Sequence, residues 1–183
     1  MDYKKYLTDD ILNFWLKDSI DTEYGGISNQ VDKYGNVISD EKNAWFIGRA
    51  LWTYAMAYRL IEQNEIYLST CENLFNFFEK CTLENYRLPH LMTRSGKAKT
   101  IRPVYYYSEM FAAMGCAQYY RICKKDKVLE TAKNFFNTVY DLYEKNKHTT
   151  QDIGVECDCR TFGLHMAMLA TTQFVRKKIL LKA

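Results

Sequence analysis

Proton transfer near neutral pH calls first for histidine, and the chain carries three: His90, His148 and His165. His90 stands at the edge of a turn-rich segment and His148 in a polar stretch, so neither suits a shielded base. His165 sits among Leu164, Met166, Met168 and Leu169 in a helical pattern. A lone histidine on an apolar helix is more often a satisfied core residue than a site, so its surroundings must decide. Arg49 and Glu109 also fall in helical runs; by position alone, the first reads as an outward salt-bridging side chain and the second as solvated. Trp45 and Trp52, seven residues apart, either offer rings to a ligand or form a packed helix stripe, and packing is the better reading for Trp52. Glu109 with Asp40 would supply the carboxylate pair of a glycoside hydrolase, but their local motifs do not single out that chemistry. Cys157 and Cys159 form only a C-x-C, with no second pair or histidine at ligand spacing, which argues against zinc. No G-x-x-x-x-G-K or G-x-G-x-x-G occurs, so nucleotide binding has no local support, and no cofactor or metal is called for.

The elements that must position these residues are helices. With 48% apolar and 15% aromatic residues but only two prolines and eight glycines, the composition excludes a disordered chain and leaves room for long helices. Thr8, Asp9 and Asp10 suggest a helix start, with Leu7, Ile11, Phe14 and Trp15 on one face. Tyr24-Gly25-Gly26, then alternating Ile27, Asn29 and Val31, and a turn over residues 32–36 before Val37, read as a short hairpin. Helices are expected over residues 43–63, after Asn64, over about 104–123, after Asp126 and over 160–178, with a second β-turn excursion over 88–101. Cys71, Cys81, Cys116 and Cys123 fall in helical patterns and read as free, buried thiols. The 25 basic and 22 acidic side chains are mixed along the chain, so no basic stripe marks a nucleic-acid or membrane surface. The polar, acidic first ten residues and the absence of any long apolar run point to a cytoplasmic protein of one domain, residues 1–183.

An internal repeat sharpens this reading. A shift of about 61 residues, estimated as a solenoid-type period, lays Tyr58, Ile61, Leu68, Thr70, Asn73, Phe75 and Asn76 on Tyr119, Ile122, Leu129, Thr131, Asn134, Phe136 and Asn137. The chain therefore holds two copies of a helical hairpin, a unit that buries its faces only by stacking on neighbours in a solenoid or closed ring. The helix over 160–178 reads as the first member of a third copy, with the apolar Ile179, Leu180 and Leu181 unlike a polar cap. The expectation is that the chain stops inside a repeat.

Three clusters resemble, in order and spacing, the opening of the N-acylglucosamine 2-epimerase family: Ile11-Leu12-Asn13-Phe14-Trp15, Asp21-Thr22-Glu23-Tyr24-Gly25-Gly26-Ile27, and Lys42-Asn43-Ala44-Trp45-Phe46-Ile47-Gly48-Arg49. Thr93-Arg94-Ser95-Gly96-Lys97, Arg102-Pro103 and the run from Tyr107 to Gly115 look like that family's fourth-helix region. The resemblance reaches Arg176 and corresponds to the N-terminal half of a family member. It implies an all-α fold, an (α/α)6 barrel of helical hairpins, here an incomplete one of about six helices with short β-hairpin excursions. It also implies epimerisation of a sugar at carbon 2 through an enediolate. Such chemistry needs a base titrating near neutrality and a cation or donors for the enediolate oxygen.

By resemblance, Arg49 takes the oxyanion and sugar-oxygen contact, and Glu109 orients Arg49 or accepts a sugar hydroxyl proton. Trp45, Tyr107, Arg102 and His165 line the sugar. The family's two proton-transferring histidines belong to later helices, around the eighth and twelfth, so the expectation is a truncated chain, inactive alone. The partner expected is a small sugar such as N-acetylglucosamine, N-acetylmannosamine or a related aldose, with a homodimer through exposed apolar helices as a candidate assembly. The alternative is a non-catalytic carbohydrate-binding or assembly half-barrel.

Overall fold

In the computed structural model, residues 2–102, 106–146 and 162–179 are described, with side chains given to residue 145 in the second stretch and residue 175 in the third. Six helices and five short strands make up these residues. Helix α1 spans residues 3–18 and is capped by Asp2, whose carboxylate accepts from the amide of Lys5 at 3.1 Å. It therefore starts five residues before the expected Thr8, whose hydroxyl instead donates back to the carbonyls of Lys4 and Lys5. The stretch Tyr6–Leu12 is wound as π-helix, and the wider turn changes which side chains share a face. Leu7 and Ile11, expected to face inward, are exposed, and Leu12 is the residue buried.

The first hairpin pairs β1 (Gln30–Val31) with β2 (Val37–Ser39) across the expected turn, where the Asp32 carboxylate accepts from the amides of Tyr34 and Asn36. A three-stranded sheet follows, β3 (Lys42–Asn43) against β4 (Leu91–Met92) against β5 (Ala98–Thr100). Thus the second excursion folds back onto the residues that lead into α2.

Asn43 starts α2 (Ala44–Leu60) by accepting from the amide of Trp45 at 2.9 Å, and Asn64 starts α3 (Glu65–Cys81) by accepting from Ile66 at 2.9 Å. The side-chain carbonyl satisfies an amide that the helix itself leaves unpaired. Helices α4 (Tyr107–Cys123) and α5 (Asp126–Asn146) repeat this pair, and α6 (Phe162–Ile179) opens the next unit. Of the predicted thiols, Cys71, Cys81 and Cys116 are free and buried and Cys123 is free and half-buried, while Cys157, Cys159 and His148 lie outside the described residues, as do Leu180 and Leu181.

Helices α2, α4 and α6 pack side by side as an inner layer, with α3 against α2 and α5 against α4 and α6. The contacts fix the sense of the inner helices. Trp45 meets Phe111, Gly48 meets Phe111 and Ala112, and Leu51 meets Gly115, so residue numbers on α2 and α4 rise together. Tyr107 meets Gly163 and Met114 meets Thr171, so α6 runs the same way. All three inner helices are parallel, with their N-termini at one end. Gly48 and Gly115 make the closest approach possible: a Cβ on Gly48 would stand 2.6 Å from the Phe111 carbonyl carbon, and one on Gly115 2.7 Å from the Gly48 oxygen. The core between layers is aromatic, with Tyr67, Phe75, Phe77, Phe78, Tyr119 and Phe135 buried. Among the described residues, no helix is long and apolar enough to cross a membrane.

Candidate functional site at the N-terminal ends of the inner helices

Because the inner helices are parallel, residues early in each come together at one end. Trp45 and Arg49 lie in the first two turns of α2, Tyr107 and Glu109 in the first turn of α4, and His165 in the first turn of α6. Arg49 is exposed, and its guanidinium carbon stands 5.7 Å from the ring centres of both Trp45 and Phe111, which are themselves 5.8 Å apart. A cation over two aromatic faces is held without being neutralised. Among the described residues Arg49 makes no salt bridge, so its hydrogen-bond donors are not committed to a carboxylate.

For Glu109, read from sequence as orienting Arg49 or accepting a sugar hydroxyl proton, the partner in the structure is Arg87. Its side chain is fully buried, and Oε1 accepts from Arg87 Nε at 2.8 Å and from the Leu88 amide at 2.9 Å, while Oε2 has no hydrogen-bond partner. Burial pushes its carboxyl above the ordinary range, against the opposing pull of Arg87. Arg87 reaches it from a turn in which Asn85 and Tyr86 both adopt left-handed backbone, held by the Thr138 hydroxyl donating to the Asn85 carbonyl. Glu109 sits on the side of α4 toward this turn, whereas Phe111 is the residue beside Arg49.

Arg102 is exposed, and its carbonyl accepts from Arg87 Nη2 at 3.1 Å. With burial as the larger cause, its charge also helps lower the pKa of half-buried His90. Tyr107 is half-buried, with its hydroxyl close to Gly163 at the start of α6. His165 is half-buried; its Nδ1 lies 2.7 Å from the Tyr143 hydroxyl, and its Nε2 is shielded from solvent with no partner among the described residues. Trp52 packs edge-on to Phe174 at 5.6 Å, the packing role preferred for it.

Several residues that build this end were not assigned from sequence. Lys42, fully buried, donates to Asp21 at 2.7 Å, to the Gly25 carbonyl at 2.6 Å and to the Arg94 carbonyl at 2.8 Å, with Phe77 beneath its ammonium. Arg94 also donates to Asp21, whose carboxylate further accepts from the amides of Glu23 and Tyr24. Burial alone would raise the Asp21 pKa, yet the hydrogen bonds from Arg94, Lys42 and Tyr24 hold it well below the ordinary carboxylate range. This network ties the Gly25-Gly26 turn and the 93–97 turn to β3, directly before Asn43 caps α2. Its members stand in the quoted motifs, but nothing in their spacing distinguishes a buried clamp from a solvated charge. On the other flank of α2, a largely apolar cleft of about 300 Å³ runs between α1 and α2, lined by Leu12, Trp15, Ile27, Phe46, Arg49 and Tyr54 among others.

The fold is that of helical toroids. It superposes on cellobiose 2-epimerase from Bacillus thermoamylovorans with a TM-score of 0.74 at 19% identity, covering 96% of this chain and 50% of that one. It superposes on a D-mannose isomerase with a TM-score of 0.76 at 16% identity, covering 96% and 46%. The particular protein it resembles in sequence is N-acylglucosamine 2-epimerase, at 36% identity over 55 residues for the Homo sapiens protein and 38% over 55 for the Bos taurus protein. That stretch is 30% of this chain and 13% of either relative. No family model matches. The resemblance read from the motifs and the expected toroid of helical hairpins are thus both borne out, over about half the length of the solved relatives.

Proposed function

We propose that this chain forms one side of the sugar site of an N-acylglucosamine 2-epimerase-like enzyme, one that moves the carbon 2 proton of an open-chain aldose through an enediolate. The observation that carries the reading is Arg49, held between the Trp45 and Phe111 rings with no carboxylate partner among the described residues. Its uncommitted donors suit the oxygen on which charge develops as the proton leaves, and the N-terminal ends of α2, α4 and α6 add partial positive charge at the same end. Trp45 supplies a ring for a sugar face, and Tyr107 and His165 supply polar contacts. Arg102 stands at the exposed rim, and Glu109 acts from behind by anchoring the Arg87 turn to α4.

Because the alignments span 46–50% of the solved relatives, this stretch by itself is expected to bind sugar without turning it over. The test is titration with N-acetylmannosamine, alongside exchange of its carbon 2 proton in deuterated water. Binding without exchange is the expected result, and Arg49→Ala should weaken binding on the order of 10-fold or more, the effect of losing a charge-assisted hydrogen bond. Unchanged affinity in that variant removes Arg49 from the site, and carbon 2 exchange catalysed by the chain overturns the expected inactivity.

A second reading, assembly of half-barrels, is favoured by the exposed stripe of Phe162, Met166 and Leu169 along α6. It concerns how the chain associates, and its test is argued below.

A further inference from the structure

Helix α6 carries a polar pair that the reading above leaves unexplained. The Tyr143 hydroxyl on α5 lies 2.7 Å from His165 Nδ1, with the two rings edge-on at 5.6 Å and 87°. The opposite nitrogen, Nε2, is out of contact with solvent and has no hydrogen-bond partner among the described residues. Leaving such an atom unpaired is unfavourable, so a structural histidine would be expected to pair both nitrogens. Its described surroundings carry tyrosine hydroxyls. They are Tyr143 itself, Tyr106, which lies within electrostatic reach of Tyr143, and Tyr107, whose hydroxyl stands by Gly163, two residues before His165.

A neutral imidazole offers one N–H and one lone pair, and the group bonded to one nitrogen decides which role the other plays. A phenol donates readily and, at its ordinary pKa near 10, keeps its proton at neutral pH. The edge-on arrangement also prevents the imidazole from stacking on the phenol and leaves its plane set by the hydrogen bond.

We propose that Tyr143 is a positioning residue for His165: its hydroxyl donates to Nδ1, holds the imidazole in the Nε2–H tautomer, and so makes Nε2 a hydrogen-bond donor reserved for a sugar oxygen. The assignment rests on the sugar-site reading for its ligand, but not for its geometry. Tyr143 touches no substrate; it acts through His165 in the way a second hydrogen bond orients a catalytic or ligating imidazole.

Two measurements on the whole 183-residue chain separate the two claims. The first is the tautomer of His165, read from two-bond proton–nitrogen correlations of the labelled protein, with His165→Gln used to assign the signals. Nε2–H is expected in the unaltered chain, and in Tyr143→Phe, whose ring still fills the site, a shift toward mixed tautomers. An Nδ1–H tautomer in the unaltered chain, or no change in Tyr143→Phe, overturns the positioning role. The second is N-acetylmannosamine affinity. Tyr143→Phe should weaken it by about 3- to 10-fold, as for loss of an ordinary hydrogen bond acting through a neighbour, and His165→Gln by at least as much. If the tautomer responds while neither variant alters affinity, the positioning stands and the sugar-site reading of His165 falls. If the unaltered chain binds no sugar, the tautomer alone decides the role of Tyr143.

Discussion

Asp21 and Glu109 are both buried carboxylates paired with a cation, yet their environments push them in opposite directions. Around Asp21 the donors outweigh burial, so its folded pKa is depressed. The stability it contributes is present above its ordinary value of 3.8 and is lost as pH falls below it. Around Glu109 burial wins, so the stability it contributes is present below its ordinary 4.5 and is lost as pH rises through the elevated folded value. Two consequences are measurable by urea unfolding. Asp21→Asn should lower stability at neutral pH and flatten the loss expected on acidification below about pH 4, the ordinary carboxylate range; an unchanged acid slope would place the acid sensitivity elsewhere. Glu109→Gln should leave neutral-pH stability within about 1 kcal/mol, because an amide oxygen can keep both hydrogen bonds while shedding a buried charge, whereas Glu109→Ala should cost about 3 kcal/mol by stranding Arg87 and the Leu88 amide. Equal losses in the two Glu109 variants would contradict this account. These roles were not legible in the sequence, since a buried clamp such as Asp21–Lys42–Arg94 joins residues 21, 42 and 94 through turns whose mutual approach no local pattern encodes.

The helices themselves were legible because their signals are local. Asn43 and Asn64 stand where a cap is needed, and the apolar positions of α3, Cys71, Leu74, Phe75 and Phe78, are buried as their spacing demands. The start of α1 was not, because Asp2 competes with Thr8 as a cap and a π-turn carries Leu12 inward where an α-helical period selects Ile11. The repeat also slips: the outer helices start 61 residues apart but the inner ones 63. What holds the inner helices in register is the glycine contact. Gly48→Ala puts a Cβ against the Phe111 backbone, and overpacking of this kind should cost about 1–3 kcal/mol and separate Phe111 from Arg49, weakening sugar binding as well. Gly163→Ala is the contrasting case, since its Cβ would meet only the Tyr107 hydroxyl at an ordinary 3.6 Å. It should be neutral or stabilising by up to about 1 kcal/mol through helix propensity. Thermal unfolding of both variants checks the pair, and a stable Gly48→Ala protein with unaltered sugar affinity would remove the close approach from the argument.

At the scale of the molecule, the inner layer has a face that these packing contacts do not cover. Phe162, Met166 and Leu169 recur at the i, i+4, i+7 spacing of one helix face, and they are 80%, 57% and 60% exposed. On the opposite flank, the cleft between α1 and α2 presents Phe46, Trp15 and Leu12. Helical hairpins of this kind bury such faces against the next hairpin, and burial of an apolar side chain contributes about 1.5–3 kcal/mol each, so three adjacent ones supply a strong drive for association. If a second copy covers the α6 stripe, sedimentation velocity should show mass-action dimerisation of this chain. Replacing Phe162, Met166 and Leu169 with serine should then abolish it without unfolding the helices, because none of the three supports the core. A concentration-independent monomer, or a dimer that survives the triple substitution, would exclude α6 as the self-association surface. The same triple variant separates assembly from chemistry: if the sugar site is built within one chain around Arg49, its affinity for N-acetylmannosamine should be retained in the monomer, whereas loss of binding together with loss of the dimer would mean that the partner copy completes the site.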